Sequence, residues 1–111
     1  MQINFIRDID FKGNYYFKNN NLVVKGDLNC WNNQLTSLPD NLVVEGNLRC
    51  YNNQLTELPD NLVVEGHLHC SHNQLTRLPD NLVVKGSLWC YNNKVKLELP
   101  KDAKVGGDFI N

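Results

Sequence analysis

Apolar residues alternate with polar ones along short stretches of this chain, and the same alternation returns twenty residues later. In "NLVVEGNLRCYNNQLTELPD" (41–60), Leu42, Val44, Leu48 and Cys50 are apolar at even spacing. A spacing of two puts side chains on one face of an extended strand, whereas a helix would repeat near 3.6. Gly46 stands at the one even position that lacks a side chain, which marks a bend, a bulge or a point of close backbone approach. "NNQLT" then brings turn-forming Asn, and "LPDN" brings Pro and Asp/Asn for a second turn. No stretch has the spacing of a ten-residue amphipathic helix. The pattern predicts mostly parallel strands joined by turns, with little helix.

The unit is written four times: "NLVVKGDLNCWNNQLTSLPD" (21–40), the block above, "NLVVEGHLHCSHNQLTRLPD" (61–80) and "NLVVKGSLWCYNNKVKLELP" (81–100), the last departing after Asn93. One such unit cannot bury its own apolar face; stacking turns Leu42, Val44, Leu48, Cys50, Leu55, Leu58 and their equivalents into continuous apolar columns. Two further stretches fit the template. In "IDFKGNYYF" (9–17), Ile9, Phe11, Gly13, Tyr15 and Phe17 take the places of Leu42, Val44, Gly46, Leu48 and Cys50; in "AKVGGDFIN" (103–111), Val105, Gly107 and Phe109 do so. The expected fold is an all-β, β-rich solenoid of about four 20-residue coils between two atypical terminal units. Its expected parts are an N-terminal cap with a degenerate repeat (1–20), the solenoid (21–100) and a C-terminal cap with a degenerate repeat (101–111), because end units must close the core against water.

If Leu48 and Cys50 face inward, Asn47, Arg49 and Tyr51 face outward. Stacking gives three expected surface columns: Asn14, Asp27, Asn47, His67, Ser87, Asp108; then Tyr16, Asn29, Arg49, His69, Trp89, Ile110; then Lys18, Trp31, Tyr51, Ser71, Tyr91. Neighbours in a column lie about 4.8 Å apart. These letters change from copy to copy while the frame does not. Trp, Tyr and Arg are enriched at binding hot spots, and a large unpartnered aromatic patch is an aggregation liability. The candidate partner-binding set is therefore Tyr16, Trp31, Asn47, Arg49, Tyr51, His67, His69, Trp89 and Tyr91. Each aromatic also has a structural reading, as a cross-strand pair that stabilises its sheet. By the same alternation Val23, Val43, Val63 and Val83 face away from Leu42 and Val44. They form either a stripe for self-association or a half-buried segment of good β-propensity. Glu57 and Arg77, one period apart, are placed to pair.

The motif "LRCYNNQLTELP" (48–59), repeated at 68–79 and as "LNCWNNQLTSLP" at 28–39, reads L-x-C-x-x-N-x-L-x-x-L-P and resembles the leucine-rich repeat family. It is most similar to the short, helix-free repeats of bacterial and phage proteins. Two features depart from that pattern: Val44 precedes Leu48 by four residues with Gly46 between, and nothing corresponds to the family's long convex helix. The resemblance implies that Asn33, Asn53, Asn73 and Asn93 stack as an inward ladder bonded to the backbone of neighbouring coils. It also implies a prokaryotic or viral source and a stoichiometric role, such as an inhibitor or adaptor.

Charge narrows the partners. Eleven Lys/Arg against twelve Asp/Glu, with no basic cluster, argue against nucleic acid. No run of 18 apolar residues argues for a membrane span. The start, "MQINFIRDIDF", lacks the continuous apolar core and cleavage site of a signal peptide, so the expected compartment is the cytoplasm, or the host cytoplasm for a phage protein. Cys30, Cys50, Cys70 and Cys90 fill an apolar core slot in parallel register, which suits reduced thiols better than disulfides. His67 and His69 share a face, with His72 close by. They read as surface histidines of a binding face; a metal site is the alternative, with Arg49 beside His69 opposing a cation. Inward thiols and outward histidines make no nucleophile–base set, so neither an enzyme nor a cofactor is expected. The expected function is binding of another macromolecule, a protein first, through the aromatic face. The alternatives are a carbohydrate-binding module and a structural element assembling through the valine stripe or the solenoid ends.

Overall fold

The computed structural model describes residues 2–111. In chain order they form α1 (Gln2–Asp8), β1 (Asn14–Lys18), β2 (Asn21–Lys25), β3 (Leu28–Asn29), β4 (Val43–Val44), β5 (Leu48–Arg49), β6 (Val63–Val64), β7 (Leu68–His69), β8 (Val83–Val84), β9 (Leu88–Trp89), β10 (Lys104–Val105) and β11 (Phe109–Ile110). Each copy of the repeat is one turn of a β-solenoid and supplies two short strands. The first strands of the copies join a six-stranded sheet ordered β1-β2-β4-β6-β8-β10; the second strands join a five-stranded sheet ordered β3-β5-β7-β9-β11. Every pairing is parallel except β1–β2, and letters twenty apart are partners: Val43 with Val63, Leu48 with Leu68, Arg49 with His69.

The glycine between the two strands of each coil carries the chain from one sheet to the other. The N–H of Gly66 donates to the carbonyl of Gly46 at 3.0 Å, and that of Gly86 to Gly66 at 2.9 Å. A Cβ on Gly66 would stand 2.9 Å from the Gly46 carbonyl carbon and 2.3 Å from Asn47 Oδ1. Close stacking of backbones is thus what requires glycine here. The other corners take positive φ at Asn32, Asn52, His72 and Asn92, and at Asn41 and Asn61. Asn enters the left-handed region more easily than most residues, which accounts for its recurrence at these turns.

Inward residues of both sheets and the turns meet in one core. Leu42, Val44, Leu48, Cys50, Leu55, Leu58 and their equivalents are buried together, with Leu97 closing the fourth coil. The asparagine ladder is present at Asn53, Asn73 and Asn93, but the side chain of the expected first member, Asn33, is exposed and donates only to the Trp31 carbonyl of its own coil, since no parallel coil precedes it. Asn53 Oδ1 accepts from the N–H groups of Asn33 (2.9 Å) and Leu35 (3.0 Å), and its Nδ2 donates to the carbonyls of Cys30 (3.0 Å) and Cys50 (2.9 Å). Asn73 and Asn93 repeat this, and Asn111 takes the same place for Leu97. Polar groups buried in the turn are satisfied by one side chain reaching between two coils.

The N-terminal unit differs from its expected form. Residues 9–17 do not stack as a parallel coil: β1 folds back antiparallel on β2, with Tyr16 opposite Val23 and Lys18 opposite Asn21. Asn19 and Asn20 both have positive φ, the two-residue turn that suits a hairpin's twist. Gly13 and Gly26 are only thirteen residues apart, too few to encircle the core. Phe17 accordingly is not in the cysteine slot; it is 42% exposed and packs edge-on against Tyr15, ring centroids 5.9 Å apart. The short helix α1, not expected from the pattern, puts Phe5 and Ile6 into the core. At the other end the expectation holds: Lys104 and Phe109 pair in parallel with Val83 and Leu88. Among the described residues no helix is long and apolar enough to cross a membrane.

Candidate binding face

The outward side of the sheet β3-β5-β7-β9-β11 carries most of the candidate set, and its three columns have different jobs. The first column belongs to the frame. Asp27 Oδ1 accepts the backbone N–H of Asn47 (2.8 Å), Asn47 Oδ1 that of His67 (2.7 Å), His67 Nδ1 that of Ser87 (2.8 Å), and Ser87 Oγ that of Asp108 (3.0 Å). Four different side chains share one property, an acceptor atom at short reach. Asn47 and His67 therefore hold coil to coil, and their variation between copies reflects interchangeable acceptors. Accepting at Nδ1 puts the proton of neutral His67 on Nε2.

In the second column Arg49 turns toward the preceding coil. Its Nη1 donates to Asn29 Oδ1 at 2.9 Å and lies 3.4 Å from Asp27 Oδ2. The pair with Asp27 is partly exposed and is worth about 1 kcal/mol or less. His69 and Trp89 turn instead into an aromatic cluster with the third column. Trp31 and Tyr51 stack 3° from parallel with centroids 5.5 Å apart; Tyr51 and His69 are 4.4 Å apart. His69 lies 5.9 Å from Trp89 and 6.0 Å from Tyr91, His67 lies 5.3 Å from Trp89, and His72 meets Tyr91 edge-on at 5.6 Å. The rim stays open to solvent, with Trp31 45% and Tyr91 36% exposed.

Ser71 is the small residue in the third column, expected to face outward. It is fully buried, because His69 packs where a ring at position 71 would stand, between Tyr51 and Tyr91. Two buried side-chain atoms lack a hydrogen-bond partner among the described residues, His69 Nε2 and Ser71 Oγ. Each such atom costs about 1–3 kcal/mol relative to a paired one. Burial, then His72, then Arg49 push the His69 pKa below its ordinary value, so its ring is neutral.

The thiols lie on the inner side. Burial pushes Cys30 up to about 12 and Cys90 to about 11, and raises Cys50 and Cys70 well above the ordinary thiol value. All four are free. Facing away from the histidines and held as neutral thiols, they form no nucleophile–base pair with them. Among the described residues no group of three or more His, Cys, Asp or Glu is placed to hold a metal ion.

The structure thus brings together Trp31, Asn47, Arg49, Tyr51, His67, His69, Trp89 and Tyr91. Tyr16 stands apart: it belongs to β1 in the other sheet, with Lys25 Nζ 6.0 Å from its ring centre. Asn14 and Lys18 leave the expected columns for the same reason. On that other sheet Val43, Val63 and Val83 are half-buried and Val23 is buried. Glu57 and Arg77 pair at 3.4 Å on the exposed flank. Asp27, Asn29, Ser71 and His72 were outside the candidate set; the lone small letter among Trp31, Tyr51 and Tyr91 was the readable signal for Ser71. Searches against protein-family models, curated proteins and solved structures give no match to this chain, so its fold and its face rest on the coordinates and the sequence.

Proposed function

We propose that this chain is a leucine-rich-repeat-like solenoid of the short, helix-free type that binds another protein through the aromatic side of its five-stranded sheet. The observation that carries the reading is the contiguous set Trp31, Tyr51, His69, Trp89 and Tyr91 on a rigid parallel sheet, with exposed rings at both ends. Rigid aromatic anchors cost little ordering on association, and Trp, Tyr and Arg are the residues that carry binding energy in protein interfaces. Arg49, steered by Asn29 and Asp27, adds a fixed polar group beside them. The inhibitor or adaptor role that the leucine-rich repeat resemblance suggests would act by occupancy alone.

The carbohydrate reading is weaker on a specific point. A sugar stacks on an open ring face, but Trp31 and Tyr51 turn faces toward each other, and His69 packs close on Tyr51. Tyr51, held between Trp31 and His69, offers an edge, which suits the mixed polar and apolar surface of a protein.

The test is affinity capture from an extract of the source cell, comparing the natural chain with Trp89→Ala and Tyr91→Ala. A specific protein that is retained by the natural chain and lost from both variants supports the reading. Capture of the same proteins by all three, with the variants folded, overturns it. Specific retention on a glycan array would favour the carbohydrate alternative.

A further inference from the structure

The third column of the face is interrupted once. Trp31, Tyr51 and Tyr91 place rings there, and Ser71 places a hydroxymethyl group. Tyr51 and Tyr91 are two coils apart, about 9.6 Å at ordinary strand spacing. Two aromatic contacts of about 3.5–4.0 Å each need about 7–8 Å between the planes of the flanking rings, so the interval has room for one tilted ring. His69 supplies that ring from the neighbouring column, 4.4 Å from Tyr51 and 6.0 Å from Tyr91. It does so imperfectly. The hydroxyl of Ser71, fully buried beneath, has no partner, and neither has His69 Nε2. A placeholder that leaves two polar atoms unpaired is open to replacement by a ring that pairs them.

We propose that the space between Tyr51 and Tyr91, floored by Ser71, is a ring-accepting slot that takes a tyrosine side chain of the protein partner, with His69 as its occupant in the free chain. The incoming ring packs between the two tyrosines, and its hydroxyl donates to Ser71 Oγ. His69 turns outward, where Nε2 meets solvent. Phenylalanine would leave the serine hydroxyl unpaired, and the Arg49 guanidinium, in register with His69, disfavours a cationic side chain. This inference rests on the protein-binding reading for its biological occupant, but the slot itself is testable without the partner.

The probes are N-acetyl-tyrosinamide and N-acetyl-phenylalaninamide, titrated into the whole chain and followed by NMR shifts of the Ser71 amide and the His69 ring. Two variants borrow letters already used in the same columns, which keeps them compatible with the fold. His69→Asn takes the residue of Asn29 and empties the slot. Ser71→Tyr takes the residue of Tyr51 and Tyr91 and fills it. The expected result is weak binding of the tyrosine amide by the natural chain, binding about tenfold tighter by His69→Asn, and none by Ser71→Tyr. In His69→Asn the phenylalanine amide should bind several-fold more weakly than the tyrosine amide. Equal binding by the natural chain and His69→Asn, or undiminished binding by Ser71→Tyr, overturns the slot. Equal affinity for the two amides overturns the role given to the Ser71 hydroxyl and with it the choice of tyrosine. A slot that behaves as expected in a chain that captures no protein would sink the partner reading and leave the slot standing.

Discussion

Asn73 closes the turn of a coil to which it does not belong. Its Oδ1 accepts the N–H of Leu55 at 3.0 Å, while its Nδ2 donates to the carbonyls of Cys50 and Cys70, both at 3.1 Å. Removing the amide strands several buried groups in two coils at once, and each costs about 1–3 kcal/mol. Asn73→Ala is therefore expected to destabilise the chain by about 3 kcal/mol or more in urea denaturation. Asn33→Ala, at the solvated start of the ladder, should cost about 1 kcal/mol or less. Equal losses from the two variants would mean that the ladder does not couple the coils.

The first column of the face should behave as frame. Asn47→Ala removes the acceptor for the His67 N–H and should cost about 1 kcal/mol, whereas Asn47→Asp keeps an acceptor, as Asp27 does one coil earlier, and should be nearly neutral. Thermal melts of the two variants check this. Neither substitution should change affinity for a captured partner by more than a few-fold, in contrast to Trp89→Ala.

The four thiols should be silent in the native chain. Burial raises all four, Cys90 to about 11 and Cys30 to about 12. Ellman's reagent at pH 8 should label none of them before unfolding and all four in guanidinium. The sign of the linkage follows. The unfolded thiol ionises near its ordinary value of 9.0 while the folded one stays protonated. Stability is therefore full below pH 9 and falls as pH rises from there toward 11 and 12. Rapid labelling of native Cys50 or Cys70 would contradict the packed core.

His69 should leave an acid signature of the opposite sense. Its folded pKa lies below the ordinary 6.5, so the unfolded chain takes up the proton first as pH falls. Stability conferred by the neutral ring is complete above pH 6.5 and declines as pH drops through that value toward the lowered one. Melting temperatures measured between pH 7.5 and 5 should fall more for the natural chain than for His69→Asn. Parallel curves would show that the ring titrates as a free imidazole.

The internal repeat made most of this fold legible. Copies of twenty letters with even-spaced apolar residues leave a chain few options but to stack in register, and the pairing of Arg49 with His69 follows from counting alone. At the N-terminus the short return, visible in the thirteen residues from Gly13 to Gly26, outweighs the match of letters. Ile9 through Phe17 match the apolar slots, but thirteen residues cannot make a turn, and Asn19-Asn20 marks a hairpin instead.

Sequence by itself determined the period, the inward columns and the side of the sheet on which Trp31, Tyr51, Trp89 and Tyr91 lie, while the asparagine ladder came only from the resemblance to leucine-rich repeats. The first three follow from local periodicity and from the need of one coil for the next. Only the tertiary structure decided what the outward side chains do with one another. Whether a variable residue is spent on a neighbour's N–H, as in Asn47 and His67, or leans sideways to cover a small one, as His69 covers Ser71, depends on rotamers and on contacts between columns. A one-dimensional repeat carries the first kind of information in its spacing. The second arises where three columns crowd one surface, and no single column contains it.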